Sequence, residues 1–357
     1  MIRRYLRWLF KAFRGEVLSV PGKVIALLFF ASLLLLPIFS SHPYVLRIFT
    51  LAAIFAIYAA SWDVLAGFTG QINLGQALFF GTGAYVTAAF NIYLGLPPWI
   101  TIPLGGICAV LVGLVAGLPA LRLRGFYLSL VTLGFPIILM GLIYVFPDYT
   151  GGEMGLYGVE RLSHSAAVNY YLVTVITIVA LLLMWKFTDS TSKIIRTGLI
   201  LYAIREDEIS ARVSGINTTR YKLLAFGVSG FFAGIAGAIY AHYMRIAGPS
   251  NLDLFFSFEA IIWTIFGGMA TIYGSVVGVF ILYPLVEFVR LCQWGDQFRY
   301  ILLASVVIVT LLFMPEGISV WVRDKIEVKC PRCKVVNITT RRLCRACRAQ
   351  LHFQKDK

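Results

Sequence analysis

Of the 357 residues, 59% are hydrophobic and 13% charged, with a mean hydropathy of +0.82. A soluble globule carries about 25% charged residues, so this composition excludes one and indicates a polytopic membrane protein. The net charge of +14 would suit nucleic acid, but +5 of it lies in residues 1–23 and +7 in residues 330–357, with no basic stripe interleaved with stacking aromatics.

Charge gathered at both ends is what the positive-inside rule expects of cytoplasmic termini. Residues 1–23 set Arg3, Arg4, Arg7, Lys11 and Arg14 among Tyr5, Leu6, Trp8, Leu9, Phe10 and Phe13, the pattern of a basic amphipathic helix on the inner leaflet. A signal peptide is the competing reading, but no small-residue cleavage site follows the apolar run.

A membrane span needs roughly 20 apolar residues, so uncharged intervals predict the crossings. Lys23 to Arg47 encloses the first, turning outside around Pro37 to Pro43, and Leu46 to Leu65 makes the second. Val64 to Leu121 holds no charge and makes two, turning at Gly95-Leu96-Pro97-Pro98. Phe126 to Phe146 and Val168 to Trp185 follow, separated by an outer loop. Leu223 to Tyr243 carries Gly230, Gly234 and Gly237 at helix-packing spacing.

Glu259 to Glu287 is interrupted by Gly267-Gly268 and Gly274. One span there would strand the basic tail outside, so the stretch divides into a short or re-entrant helix, Phe258 to Phe266, and a helix from about Ser275 to Val289. Tyr300 to Met314 returns the tail inside. The expected fold class is all-α: a polytopic transmembrane helix bundle of about ten membrane segments, some broken or re-entrant. It occupies residues 24–320, and residues 321–357 form a basic cytoplasmic tail.

Between the sixth and seventh spans lies a polar island, Arg196 to Asn217. Tyr202, Ile209, Val213 and Ile216 fall near one helical face, and Arg205, Glu208 and Arg212 recur on another. The pattern predicts one short amphipathic helix at the membrane surface with something docked on it, the alternative being a solvated loop helix.

Two glycine-rich places stand out. In Gly67-Phe68-Thr69-Gly70-Gln71-Ile72-Asn73-Leu74-Gly75-Gln76, amides and glycines interrupt oily spans, and unwound backbone at membrane depth survives only where protein or a watery cavity satisfies it. Gly70, Gln71, Asn73 and Gln76 are therefore candidate solute-pathway residues. A tight turn with Gln and Asn capping helix ends is the other reading. Gly267 to Gly278 reads as close helix packing.

The tail holds Cys330-Pro331-Arg332-Cys333 and Cys344-Arg345-Ala346-Cys347, two CxxC knuckles ten residues apart. Four thiolates at this spacing suit tetrahedral Zn in a small zinc-ribbon-like module, and a reducing cytoplasm disfavours disulfides. Iron or a chance cluster is the alternative. Cys108 and Cys292 read as packing residues.

No GxxxxGK[ST] phosphate loop occurs, so the chain itself does not hydrolyse ATP. Asp63 reads as a charge near a membrane end, and His42, His164 and His242 as lying near or beyond the outer surface, which leaves no proton relay inside a span.

Several motifs together carry a resemblance: Gly70-Gln71-Ile72-Asn73-Leu74-Gly75-Gln76-Ala77, Gly81-Thr82-Gly83-Ala84-Tyr85, Thr150-Gly151-Gly152 with Gly155-Leu156, Ala203-Ile204-Arg205-Glu206-Asp207-Glu208 with Gly215-Ile216-Asn217, and Gly267-Gly268. In this order, across about residues 50 to 318, they resemble the branched-chain amino-acid ABC transporter permease family, LivM type. The resemblance implies a non-enzymatic membrane subunit in the cytoplasmic membrane. Its partners would be a second, homologous permease, two cytoplasmic ABC ATPases and an extracytoplasmic solute-binding protein.

It further implies that Arg205, Glu206, Asp207, Glu208, Arg212 and Gly215 belong to a coupling helix seated on an ATPase. Many relatives carry His where this chain has Gln76, and the subfamily also takes urea, amides and other small polar solutes. A secondary transporter or channel acting without an ATPase, and a membrane scaffold whose four-cysteine tail does the work, are the other function classes.

Overall fold

The computed structural model describes residues 29–30, 32–37, 42–120, 123, 125–189, 196–291, 296–333, 336–338, 344, 347 and 349–350. The expected N-terminal amphipathic segment, Arg122, Arg124 and Cys292 lie outside them.

A long helix, α1 (Pro43–Thr69), forms the axis of the bundle. Pro43 starts it where a missing N–H costs nothing, and Gly70 ends it in the left-handed conformation (φ 72°), donating its N–H to the Ala66 carbonyl at 3.1 Å. Most of α1 is buried, and a helix apolar all round its circumference belongs inside. Around it stand α2 (Gln76–Leu94), α3 (Pro98–Ala120), α4 (Phe126–Val145), α6 (Ala166–Thr188), α9 (Thr218–Met244), α10 (Leu254–Gly267), α11 (Ile272–Leu291) and α12 (Asp296–Phe313). A one-turn helix, α5 (Pro147–Thr150), follows α4.

The spans expected from Leu46 onward are recovered, including the division of the Glu259 to Glu287 stretch, which breaks at residues 268–271; the first, Lys23 to Arg47, lies mostly outside the described residues. Among the described residues eight stretches are long and apolar enough to cross a membrane, the last running Ile301–Ile326, and Leu254–Gly267 is a shorter apolar helix. With the fold and these spans, the chain is a multi-pass membrane protein.

Phe55, Tyr58 and Phe80 of α1 and α2 meet Tyr240, Phe256, Trp263 and Tyr283, with ring centroids 4.8 to 6.5 Å apart. Offset and edge-to-face contacts at such distances add to their area burial. Backbones of α2, α3 and α9 come close where a Cβ on Gly83 would collide with Gly234 and one on Gly105 with Gly83 and Thr87. Small residues at such crossings let helices associate where lipid offers no hydrophobic drive. The same holds for Gly267, Gly274 and Gly278, where α10 meets α11, as their spacing predicts.

Between α6 and α9 sit two short helices, α7 (Thr197–Glu206) and α8 (Glu208–Val213). The expectation of one island helix is corrected: Asp207 is extended (φ −153°, ψ 106°) and separates them. A short ribbon, β1 (Leu156–Tyr157) with β2 (Ile246–Ala247), closes the opposite end of the bundle. Past α12 the chain turns at Gly317 into α13 (Ile318–Ile326) and then a hairpin, β3 (Glu327–Lys329) and β4 (Val336–Ile338).

Candidate functional site

The island joins the bundle by burying Leu201, Ile204 and Ala211 and by a few charged contacts beside them. Arg205 Nη1 donates to the Gly67 carbonyl at 2.6 Å, near the end of α1. Glu208 accepts from Lys222 Nζ at 2.7 Å and from Arg212 Nη2 at 2.8 Å, which pins α8 to the first turns of α9. Lys222 is itself buried, so this pair is shielded from the screening that makes exposed pairs weak.

Asp207 caps α8. Its Oδ1 accepts from the N–H groups of Ile209 at 2.8 Å and Ser210 at 3.1 Å, and its Oδ2 from the Ser210 hydroxyl at 2.7 Å. These donors, the Ser210 hydroxyl foremost, hold the Asp207 carboxyl below its ordinary value. Gly215 closes the turn after α8 with φ 83°, a left-handed conformation glycine adopts without strain.

The apolar face points away from the protein. Tyr202 is 48% exposed, Ile209 65% and Val213 84%, while Ile216 is half-buried. Three large apolar side chains on a charged segment, spread over α7 and α8, are thus left uncovered by the protein itself. Of the residues expected to couple, Arg205 and Glu208 are engaged inside their own chain, Arg212 bonds Glu208 and Thr218, and Asp207 caps α8, while Glu206 is exposed and shares the outward surface with Tyr202, Ile209 and Val213.

The second feature is the break between α1 and α2. Gln76, fully buried at the start of α2, donates from Nε2 to Ser61 Oγ at 3.0 Å and Ser229 Oγ at 3.2 Å, and its Oε1 accepts from Asn73 Nδ2 at 2.9 Å. Asn73 Oδ1 accepts from the Gly75 N–H, and the Asn73 carbonyl accepts from Trp62 Nε1 at 2.7 Å. Ser257 of α10 takes the Ala77 N–H at 2.9 Å, and Thr132 of α4 the Leu74 N–H at 3.1 Å.

Five helices thus meet at one polar node. Ser229 lies eleven residues into α9, about 16 Å along its axis, so α2 begins at mid-bundle and the loop before it folds back inward. Asn73 makes a turn-capping bond to the Gly75 N–H, and the buried Gln71 Oε1 has no partner among the described residues. Gly70 stands apart from the node, exposed, with Arg205 against its backbone.

Sequence reasoning passed over two groups. Asp63 is fully buried, with Oδ1 accepting the Ala270 N–H at 2.8 Å. His242, placed near the outer surface from sequence, is also fully buried, its ring nitrogens 2.8 Å from Thr101 Oγ1 and 2.7 Å from the Glu160 carbonyl. An acid before an uncharged run, and a His two residues from a helix end, carry no period that would reveal such burial.

The four sulfurs of Cys330, Cys333, Cys344 and Cys347 all lie within 4.8 Å of one another. Cys330 and Cys347 are 3.6 Å apart and Cys333 and Cys344 3.4 Å, close to the roughly 3.8 Å edge of a tetrahedron with 2.3 Å metal–sulfur bonds. The β3–β4 hairpin carries the first knuckle, and the Cys344 N–H bonds the Ala349 carbonyl in the second. The cluster can hold a metal ion.

Residues 44–312 match the family described as branched-chain amino acid transport system / permease component. The chain belongs to this family. It is 29% identical over 309 residues to the high-affinity branched-chain amino acid transport system permease protein LivM of Salmonella typhimurium, covering 80% of this chain and 72% of that one. Its identity to Escherichia coli LivM is 29% over 304 residues, 78% of this chain and 71% of the relative. The ribose import permease protein RbsC of Haemophilus influenzae is 25% identical over 77% of this chain and 86% of its own length. A permease of this family is the membrane component of a transporter and not an enzyme. The match ends before α13, so the four-cysteine module lies beyond the family's span.

Proposed function

We propose that this protein is the membrane subunit of an ATP-driven importer that moves branched-chain amino acids across the cytoplasmic membrane. The outward apolar face of α7 and α8 carries the reading. Tyr202, Ile209 and Val213 stand beside Arg205 and Glu208, which are engaged within the chain, and that face is left free to seat a cytoplasmic ATPase. Burying an Ile or Val side chain is worth about 1.5–3 kcal/mol, enough for a few such residues to anchor an interface.

A second homologous permease and an extracytoplasmic binding protein complete the assembly. Both termini and the island face the cytoplasm. Residues 24–320 act as the permease, and 321–357 as a tail whose four cysteines hold a structural Zn ion. ATPase closure pushes α7 and α8, with Arg205, Glu206, Asp207, Glu208, Arg212 and Gly215 shaping that lever, and the attached spans open the route alternately to each side. Gly70, Gln71, Asn73 and Gln76 lie along that route.

The two LivM relatives support a branched-chain amino acid as solute. The ribose permease relative supports a second reading, another small polar solute. Proteoliposomes containing the assembled transporter should take up leucine, isoleucine or valine only with ATP inside the cytoplasmic face, and excess ribose, urea or small amides should not compete. Uptake by this chain without any ATPase would refute the importer reading, and competition by ribose or amides would reassign the solute.

A further inference from the structure

Asp63 is a carboxyl at 0% exposure inside a membrane helix, and ionisable groups kept there are costly to retain without a task. Its surroundings show what it joins. Oδ1 accepts the N–H of Ala270, in the four-residue break between α10 and α11. That break is held in an unusual shape: Gly268 has φ 121°, and Ala270 sits at φ 59°, a region a residue with a Cβ rarely adopts.

The reach of Asp63 depends on Gly67, one turn further along α1. A Cβ there would collide with Asp63 Oδ1 and crowd the Ala270 nitrogen. The carbonyl of that same Gly67 accepts from Arg205 of the island. On its other side the break abuts the α12–α13 turn, where a Cβ on Gly317 would collide with Gly268. Two hydrogen bonds and one glycine therefore connect the island to the backbone of the α10–α11 break, with no water-filled gap required between them.

We propose that Asp63 is a positioning residue of the transport cycle, which with Arg205 ties the α7 lever to the α10–α11 break so that displacing the lever re-forms that break. This inference rests on the reading of the island as an ATPase seat. A carboxyl that merely caps α11 from a neighbouring helix would stabilise the fold but stay unchanged through the cycle, and that difference can be measured. Coupling between sites through such discrete contacts commonly amounts to about 5- to 150-fold.

The test uses the full transporter with its ATPases and binding protein. Asp63→Leu keeps roughly the side-chain volume but removes both acceptors, so the Ala270 N–H loses its partner on α1. In proteoliposomes the solute moved per ATP hydrolysed should fall about ten-fold, while ATPase co-purification stays as in the wild type. A wild-type ratio in an assembled D63L complex overturns the inference and leaves the island reading standing. Failure of the wild-type chain to bind any ATPase overturns both. Should D63L not assemble, hydrogen exchange of residues 268–272 in the wild-type complex decides: protection should differ between nucleotide-free and ATP-trapped states, and identical protection overturns the inference.

Discussion

Gln76 and Ser229, 153 residues apart in sequence, meet at 3.2 Å in the middle of the bundle. With Ser61 and Asn73 they form a node in which each buried polar group answers another. In a dry interior an unanswered donor or acceptor costs about 1–3 kcal/mol. Gln76→Leu should therefore lower the stability of the detergent-solubilised protein by about that much, read as an earlier thermal unfolding midpoint. Gln76→His, which keeps a polar partner for Ser61 and Ser229, should lose less.

The lever depends on its cap. Asp207→Ala removes the acceptor for Ile209, Ser210 and the Ser210 hydroxyl. Backbone amides 209–213 should then exchange several-fold faster, while those of α9 stay protected. The sign of the pH dependence follows from the carboxyl being more acidic when folded. Its support for α8 is full above the ordinary Asp value of about 3.9 and is lost as pH falls through the lower, folded value. Asp207→Asn, an equally good cap, should remove that pH dependence and keep α8 formed.

Ile209 and Val213 touch little of their own chain, so replacing them tests a partner and not the fold. Ile209→Asp with Val213→Asp should leave the unfolding temperature of the isolated permease unchanged. Binding of the cognate ATPase, measured by co-purification or by titration in nanodiscs, should weaken at least about ten-fold, since desolvated charge replaces apolar contact.

The four-cysteine module is short, and without a metal its hairpin has little apolar surface to hold it. The purified protein should carry one Zn per chain by elemental analysis, and Cys330→Ser with Cys347→Ser should abolish it. Chelation should melt the 327–350 segment, detected by proteolysis there, and leave the bundle intact.

Much of the fold was legible because hydrocarbon permits few solutions. Uncharged runs, Gly95-Leu96-Pro97-Pro98 and Gly267-Gly268 placed the spans and their breaks, and the CxxC spacing placed the four sulfurs. What escaped depends on tertiary geometry. The split of the island at Asp207 follows from a side chain that can cap, a choice periodicity alone does not make. Which face of the island points inward is decided by the core that buries Leu201 and Ile204 and by Lys222 and the Gly67 carbonyl, partners that lie outside the island. Asp63 looked like a membrane-end charge because its partner, the Ala270 N–H, lies 207 residues away.

The central claim is that the apolar face of α7 and α8 lies in the cytoplasm and seats an ATPase. A single cysteine at Val213, in a variant lacking exposed native cysteines, tests it in intact cells. Val213→Cys should resist a membrane-impermeant thiol reagent added outside and should form a cross-link to a cytoplasmic ATPase subunit. Labelling from outside, with no such cross-link, would contradict the account.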